Sequence, residues 1–140
     1  MTLELPLRVL LPRKKKEGRM FSLNLNVYRN AHHQVLNEAK KAYVQAVLEA
    51  VADRELSVDA PFVFEYVVYP PTRRRMDLGN VLPVVQKFTE DALVELSLLP
   101  DDSYEFIRAV RYGVGEVDKV NPRVELRIYG YEEEGSCPAA

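Results

Sequence analysis

The chain has 140 residues, 47% of them hydrophobic and 29% charged, which predicts one domain with a single core. Its 19 lysines and arginines stand against 21 aspartates and glutamates, and the net charge of −2 excludes a uniformly basic nucleic-acid binder. The one cysteine, Cys137, excludes an internal disulfide framework, and no apolar run approaches the roughly 20 residues that span a bilayer. Because the N-terminal apolar stretch precedes the basic run, the reverse of a secretory signal, we expect a cytoplasmic protein without a membrane segment.

The first 53 residues are predicted to contain two extended segments and a helix. Residues 3–10 alternate apolar and polar positions for a short distance and indicate a strand, and residues 12–19 form a polar loop. Residues 20–27 alternate again, which fits either a strand or an extended arm. Residues 34–53 carry apolar side chains at three- and four-residue spacing, which predicts an amphipathic helix.

The middle of the chain is predicted to form a strand followed by a second helix. Residues 61–69 are aromatic and β-branched, a composition typical of strands. Residues 81–98 show helical spacing of their apolar side chains. Asn80 is the expected N-cap of this helix, and Pro83 is expected in its first turn, where a missing N–H does little harm.

The last part of the chain is predicted to supply two strands, residues 103–112 and 122–129, joined antiparallel by the linker 113–121. The order of elements indicates an α+β fold, with a mixed β-sheet covered on one face by two main helices. Residues 1–129 are therefore expected to form the domain. Residues 130–140 are expected to form a flexible tail.

Basic residues cluster in two places along the chain. Residues 1–30 hold seven lysines and arginines against two glutamates, a balance of +5 that leaves −7 on the remaining 110 residues. This segment includes Lys14, Lys15, Lys16 and Arg19, and a second run, Arg73, Arg74 and Arg75, lies in mid-chain. Two such runs favour contact with phosphate groups, although solvated loops would explain each run alone.

Three aspartates flank the second predicted helix. Asp77 directly precedes it, and Asp101 and Asp102 follow it. A helix of about 18 residues is about 27 Å long, so the two ends can meet only if the helix is shorter, bent or displaced. Aspartates suit Mg²⁺ or Mn²⁺, which prefer oxygen ligands, but a helix cap and a turn would explain the same residues without a metal.

The stretch from Phe62 to Ile128 resembles the RusA-type Holliday junction resolvases, a family common in phages and prophages. The matching segments follow one another in the family's order. They are Tyr69-Pro70, Arg73-Arg74-Arg75, Asp77-Leu78-Gly79-Asn80, Gln86-Lys87, Asp91-Ala92-Leu93 and Leu99-Pro100-Asp101-Asp102.

The resemblance implies a dimeric, Mg²⁺-dependent endodeoxyribonuclease with a RusA-like fold, in the cytoplasm of a bacterial or phage-infected cell. It implies metal binding by Asp77 and Asp102, with Asp101 as a further candidate, and catalysis assisted by Lys87. With the charge of the two basic runs, it leads us to expect that DNA contacts Asn80 and the basic residues Arg73, Arg74, Arg75, Lys14, Lys15, Lys16 and Arg19. The substrate would be branched DNA, especially four-way junctions.

One position departs from the family pattern, because Gly79 stands where the family has a second aspartate. Asp101, Glu90 or Asp91 could replace the missing carboxylate. Otherwise the protein would bind branched DNA and cut it poorly or not at all. A protein-interaction domain with merely solvated basic loops is the third hypothesis.

Overall fold

The computed structural model describes residues 1–13, 17–55 and 60–132, and a four-stranded mixed sheet lies at its centre. A separate two-stranded hairpin and three helices complete this part of the chain. In chain order the elements are β1 Thr2–Leu5, β2 Arg8–Leu11, β3 Arg19–Ser22, α1 Leu25–Asn30, α2 His33–Val51, β4 Phe62–Tyr69, α3 Leu78–Glu95, β5 Ile107–Val114 and β6 Arg123–Gly130.

The strand order of the central sheet is β1-β6-β4-β5. β4 pairs in parallel with β5 on one side and antiparallel with β6 on the other, and β6 pairs antiparallel with β1. β5 and β6 therefore run in opposite directions, as predicted, but they are not neighbours, because β4 lies between them. Six of the eight residues of β4 are buried, so this apolar strand occupies the middle of the sheet.

The predicted α+β class is confirmed, with helices packed on a mixed sheet. Phe62, Phe64, Tyr66 and Val68 alternate along β4, and all four belong to the hydrophobic core. Glu65 and Tyr69, two of the intervening residues of β4, contact a network of charged side chains on the opposite face of the sheet. There Arg127 lies 3.4 Å from Glu65, and Arg123 stacks over the Tyr69 ring at 4.2 Å.

The N-terminal strand prediction was partly wrong. Residues 3–10 do not form one strand: the chain leaves β1 after Leu5, passes Pro6 and starts β2 in a different sheet. Residues 20–27 are extended only as far as Ser22. The Asn24 side chain then accepts a hydrogen bond from the Val27 N–H at 2.9 Å, and this cap starts α1. Local capping thus overrides the alternating pattern.

The helix bounds differ from the predicted ones by up to three residues. α3 starts at Leu78 because Asp77, not Asn80, is its N-cap and accepts the Gly79 N–H at 2.9 Å. Pro83 is consequently the sixth helical residue rather than part of the first turn. The helix continues through it to Glu95, at the cost of one main-chain hydrogen bond.

β6 ends at Gly130, one residue beyond the predicted end of the domain. Most of the predicted tail, residues 133–140 with Cys137, lies outside the described residues, as do Lys14, Lys15 and Lys16. Among the helices that the structure describes, none has the length and hydropathy needed to cross a membrane.

Candidate functional site

Residues 70–77, here called the arginine loop, connect β4 to α3. Arg73, Arg74 and Arg75 are all exposed, and none of the three forms an ion pair with any described residue. Arg74 and Arg75 line an open groove together with Asp77 and Asn80. Planar guanidinium groups without an internal partner are well suited to bind phosphate oxygens.

Asp77 is exposed at the N-terminus of α3, where its Oδ1 atom caps the helix. Gly79, the residue that departs from the family pattern, has a helical backbone without a left-handed φ. A Cβ atom at position 79 would lie 3.4 Å from Asp77 Oδ1, an ordinary van der Waals contact. A side chain at this position therefore requires no backbone strain.

A second group of acids, here called the carboxylate cluster, consists of Glu90, Asp91 and Asp102. Glu90 lies on α3 and is only 7% exposed. Its Oε2 atom accepts a hydrogen bond from the Tyr66 hydroxyl at 3.0 Å, and Gln86 lies one turn before it on α3. Burial and this hydrogen bond restrict the Glu90 carboxyl group to one orientation, unlike an exposed side chain that samples several rotamers.

Burial raises the pKa of Glu90 from 4.5 to about 7. The hydrogen bonds from Tyr66 and Gln86 act in the opposite direction, and the negative charges of Asp102 and Asp91 raise the pKa further. The Asp102 charge is thus within electrostatic range of Glu90, although the two side chains form no hydrogen bond with each other.

Two tyrosines and a glutamine frame the buried carboxyl group. The Tyr112 hydroxyl on β5 donates to Gln86 Oε1, and the rings of Tyr112 and Tyr66 contact edge to face with centroids 6.2 Å apart. Burial raises the pKa of Tyr66 well above its ordinary value, so its hydroxyl remains a hydrogen-bond donor. The frame connects α3 to both β4 and β5.

Asp101 and Asp102 have different environments. Asp101 Oδ1 accepts the main-chain N–H of Asp102 at 2.8 Å, which fixes the turn after α3. The Asp102 side chain is exposed and acts electrostatically on Glu90. Of the two aspartates, Asp102 is therefore the one associated with the carboxylate cluster.

Lys87 lies one turn before Asp91 on α3. Its Nζ atom is 3.4 Å from Asp91 Oδ2, and both side chains are about half exposed. An exposed pair of this kind is weak, so an incoming anion can compete for the ammonium group. The lysine is thus placed beside the carboxylate cluster.

One chain does not bring all the predicted metal ligands together. Glu90 follows Asp77 by 13 residues along an unbroken helix, a distance of about 20 Å at 1.5 Å per residue. Asp102 lies near Glu90, so it is far from Asp77 within the same chain. No group of three or more His, Cys, Asp or Glu residues placed to hold a metal ion occurs in the described ranges.

The frame of the carboxylate cluster was not predicted. Sequence reasoning named Glu90 only as a replacement ligand and assigned no role to Tyr66 or Tyr112. The available signals were the alternation of β4, which directs Tyr66 to the same side as Phe64, and the four-residue spacing of Gln86 and Glu90. The contact between Gln86 and Tyr112 depends on the parallel pairing of β4 with β5, which the spacing of the motifs does not reveal.

No protein-family model matches the chain, and no curated protein matches it significantly. A function must therefore be inferred from the residues themselves and from their arrangement.

Proposed function

We propose that the chain is a divalent-metal-dependent endodeoxyribonuclease that hydrolyses phosphodiester bonds in branched DNA, Holliday junctions included. The observation that carries this proposal is that Lys87 and the buried Glu90 both lie on the C-terminal half of α3, where Lys87 pairs with Asp91 and the Asp102 charge acts on Glu90. Lys87 and Asp102 are two of the three residues to which the resemblance to the RusA-type resolvases assigns roles in cutting, and the third is Asp77. Their proximity to one buried carboxyl group supports a shared chemical task.

The donor atoms of the carboxylate cluster fit Mg²⁺ or Mn²⁺. Both ions prefer oxygen ligands, and Mg²⁺ commonly takes one or two protein carboxylates while waters and substrate phosphates complete its shell. Glu90 and Asp102 would hold the ion, and once bound it would polarise a phosphate and lower the pKa of a bound water. Asp77 and Asp101 are left as cap and turn residues by this assignment.

The protein's own residues supply binding and charge stabilisation. Lys87 would exchange its exposed contact with Asp91 for a phosphate oxygen and stabilise negative charge that develops there or on the leaving oxygen. The Tyr66 hydroxyl holds the Glu90 carboxyl group through its hydrogen bond, and the Tyr112 hydroxyl holds Gln86, which lies one turn before Glu90 on α3. These residues therefore contribute to the chemistry indirectly, by fixing the position of the Glu90 carboxyl group.

The arginine loop would hold the DNA backbone at a distance from the cut. The roughly 20 Å between Asp77 and the carboxylate cluster equals about six base pairs of duplex at 3.4 Å per pair, so one arm of a junction can reach both. Asn80 and the basic residues Arg73, Arg74, Arg75, Lys14, Lys15, Lys16 and Arg19 are the proposed backbone contacts. A two-fold homodimer would match the two-fold symmetry of a four-way junction and allow paired cuts.

A second candidate is a branched-DNA-binding protein that does not cut. Two observations favour this candidate. Gly79 stands in place of the family aspartate, and the described residues contain no group of three or more side chains placed to bind a metal ion. In this case the arginine loop and the basic N-terminal segment would still bind junctions.

A junction-cutting assay separates the two candidates. A labelled four-way junction is incubated with the wild-type protein over a range of Mg²⁺ concentrations, with EDTA as the metal-free control. We expect paired, Mg²⁺-dependent cuts, and we expect Asp102→Asn to abolish them while junction binding in EDTA persists. Asp101→Asn is the matched control and should retain most activity. Metal-independent binding without cutting would support the second candidate, and neither binding nor cutting would contradict both.

A further inference from the structure

Two large aliphatic side chains face outward from the β2–β3 hairpin. Leu10 and Met20 lie directly opposite each other in the strand register and are 58% and 50% exposed. On the other side of the same hairpin, Val9, Leu11 and Phe21 are buried in the core. The exposed pair is therefore carried by a hairpin that is anchored to the body of the protein.

The position of Leu10 is further fixed by Gly18. A Cβ atom at position 18 would lie 2.7 Å from Leu10 Cδ1 and 3.1 Å from the Leu11 carbonyl oxygen, so the returning chain packs closely on the leucine at this glycine. Leu10 is positioned both by the pairing of β2 with β3 and by the packing of Gly18 against its side chain. The apolar pair is thus a defined feature of the surface.

Basic residues are concentrated in the segment of the sequence that carries the apolar pair. Residues 8–19 hold six lysines and arginines against one acid, Glu17, in a chain whose net charge is −2. Arg8, Arg13 and Arg19 are exposed, and the remaining three residues are the lysines between the two strands in the sequence. An apolar pair with this flanking charge matches a partner that offers both phosphates and flat apolar surfaces, as unstacked nucleotides do.

The outward face of the hairpin also adjoins the arginine loop. Arg8 and Met20 line one open groove together with Pro71 and Met76 of that loop and Val81 of α3. This groove shares Pro71, Met76 and Val81 with the groove that Arg74 and Arg75 line, so Met20 of the apolar pair and the arginine loop border adjoining grooves.

We propose that Leu10 and Met20 form a wedge that enters the branch point of a DNA junction and packs against an unstacked base, while the surrounding basic residues hold the phosphates. Aliphatic side chains can insert between base steps where binding offsets the free energy of unstacking. At a branch point the stacking is already interrupted, so this cost is lower there than in a continuous duplex. The wedge would therefore favour branched over linear DNA. This inference rests on the proposed function.

The test uses a four-way junction that carries 2-aminopurine at the branch point, in EDTA so that no cutting occurs. The probe's fluorescence rises when its base unstacks. We expect the wild-type protein to raise it several-fold, and a Leu10→Ser, Met20→Ser double variant to lose this rise. We also expect the variant's preference for a junction over a duplex of equal length to fall at least fivefold, with an unchanged salt dependence of binding. A Leu48→Ser, Val120→Ser variant, with two exposed apolar residues changed elsewhere, is the matched control.

The outcomes separate failure of the wedge from failure of the proposed function. Binding without any fluorescence change, or a double variant that keeps both the rise and the preference, would overturn the wedge alone. A double variant with an altered oligomeric state in sedimentation would assign the pair to contact between copies and would also overturn it. A wild-type protein that binds neither junction nor duplex would overturn the proposed function and the wedge together.

Discussion

Replacement of Glu90 by glutamine tests the environment of the carboxylate cluster in the metal-free protein. Glutamine has nearly the size of the protonated glutamate, and its carbonyl oxygen can still accept the hydrogen bond from Tyr66. The substitution removes the negative charge that Glu90 must carry at high pH in a buried position. We therefore expect Glu90→Gln to stabilise the protein above neutral pH.

The size of the effect follows from the pKa of Glu90, which burial raises from 4.5 to about 7. Between these two pH values the folded chain keeps a proton that the unfolded chain releases, so the free energy of unfolding falls as the pH rises. At about 1.36 kcal/mol for each pH unit, the loss amounts to about 3 kcal/mol above pH 7. The variant avoids this loss, whereas below pH 4.5 the two proteins should have similar stability.

Urea unfolding in EDTA at several pH values between 4 and 9 measures the difference. Glu95→Gln, an exposed glutamate on the same helix, is the control and should change the free energy of unfolding by less than about 0.5 kcal/mol throughout. A Glu90→Gln variant that is less stable than the wild type at pH 8, or whose difference from the wild type does not depend on pH, would refute the described burial of this carboxyl group.

Three further predictions concern other parts of the molecule. Arg123→Met removes the ion pairs of Arg123 with Asp118 at 2.9 Å and with Glu125 at 2.8 Å, together with its stacking on the Tyr69 ring. We therefore expect the melting temperature to fall by several degrees, and an unchanged melting temperature would contradict this. Gly79→Asp should fold with wild-type stability and leave the Mg²⁺ requirement of cutting unchanged, since position 79 precedes Glu90 by 11 residues, about 16 Å along α3 at 1.5 Å per residue. A lower Mg²⁺ requirement in the cutting assay would place the metal at the arginine loop. Changing Arg73, Arg74 and Arg75 to glutamine should flatten the slope of the logarithm of the junction-binding constant against the logarithm of the salt concentration, by about 0.9 for each phosphate that is no longer neutralised. A slope identical to that of the wild type would show that the loop faces away from DNA.

The sequence was most informative where burial dictates the pattern. β4 and the apolar stripes of α2 and α3 follow directly from hydrophobic spacing, and the structure confirms these elements within three residues at their ends. The order of the strands could not be obtained in this way. It depends on which apolar strand occupies the middle of the sheet, and β4 and β6 both have buried inward faces.

Capping residues caused the errors at the starts of α1 and α3. Both Asp77 and Asn80 are good N-cap residues, and only the hydrogen bond from the Gly79 N–H decides between them. The outcome matters for the site, because a helix that starts at Leu78 and runs unbroken to Glu95 separates Asp77 from the carboxylate cluster. The spacing of the motifs alone left open whether the two ends of this helix meet.

The Mg²⁺ dependence of single-turnover junction cutting by Glu90→Gln and Asp102→Asn tests the proposed metal centre most directly. If these two carboxylates hold the metal, each variant should bind the junction as the wild type does in EDTA. Each should nevertheless cut it at least a hundredfold more slowly, or require more than ten times as much Mg²⁺. Wild-type rates and wild-type Mg²⁺ dependence in both variants would contradict the proposed metal centre.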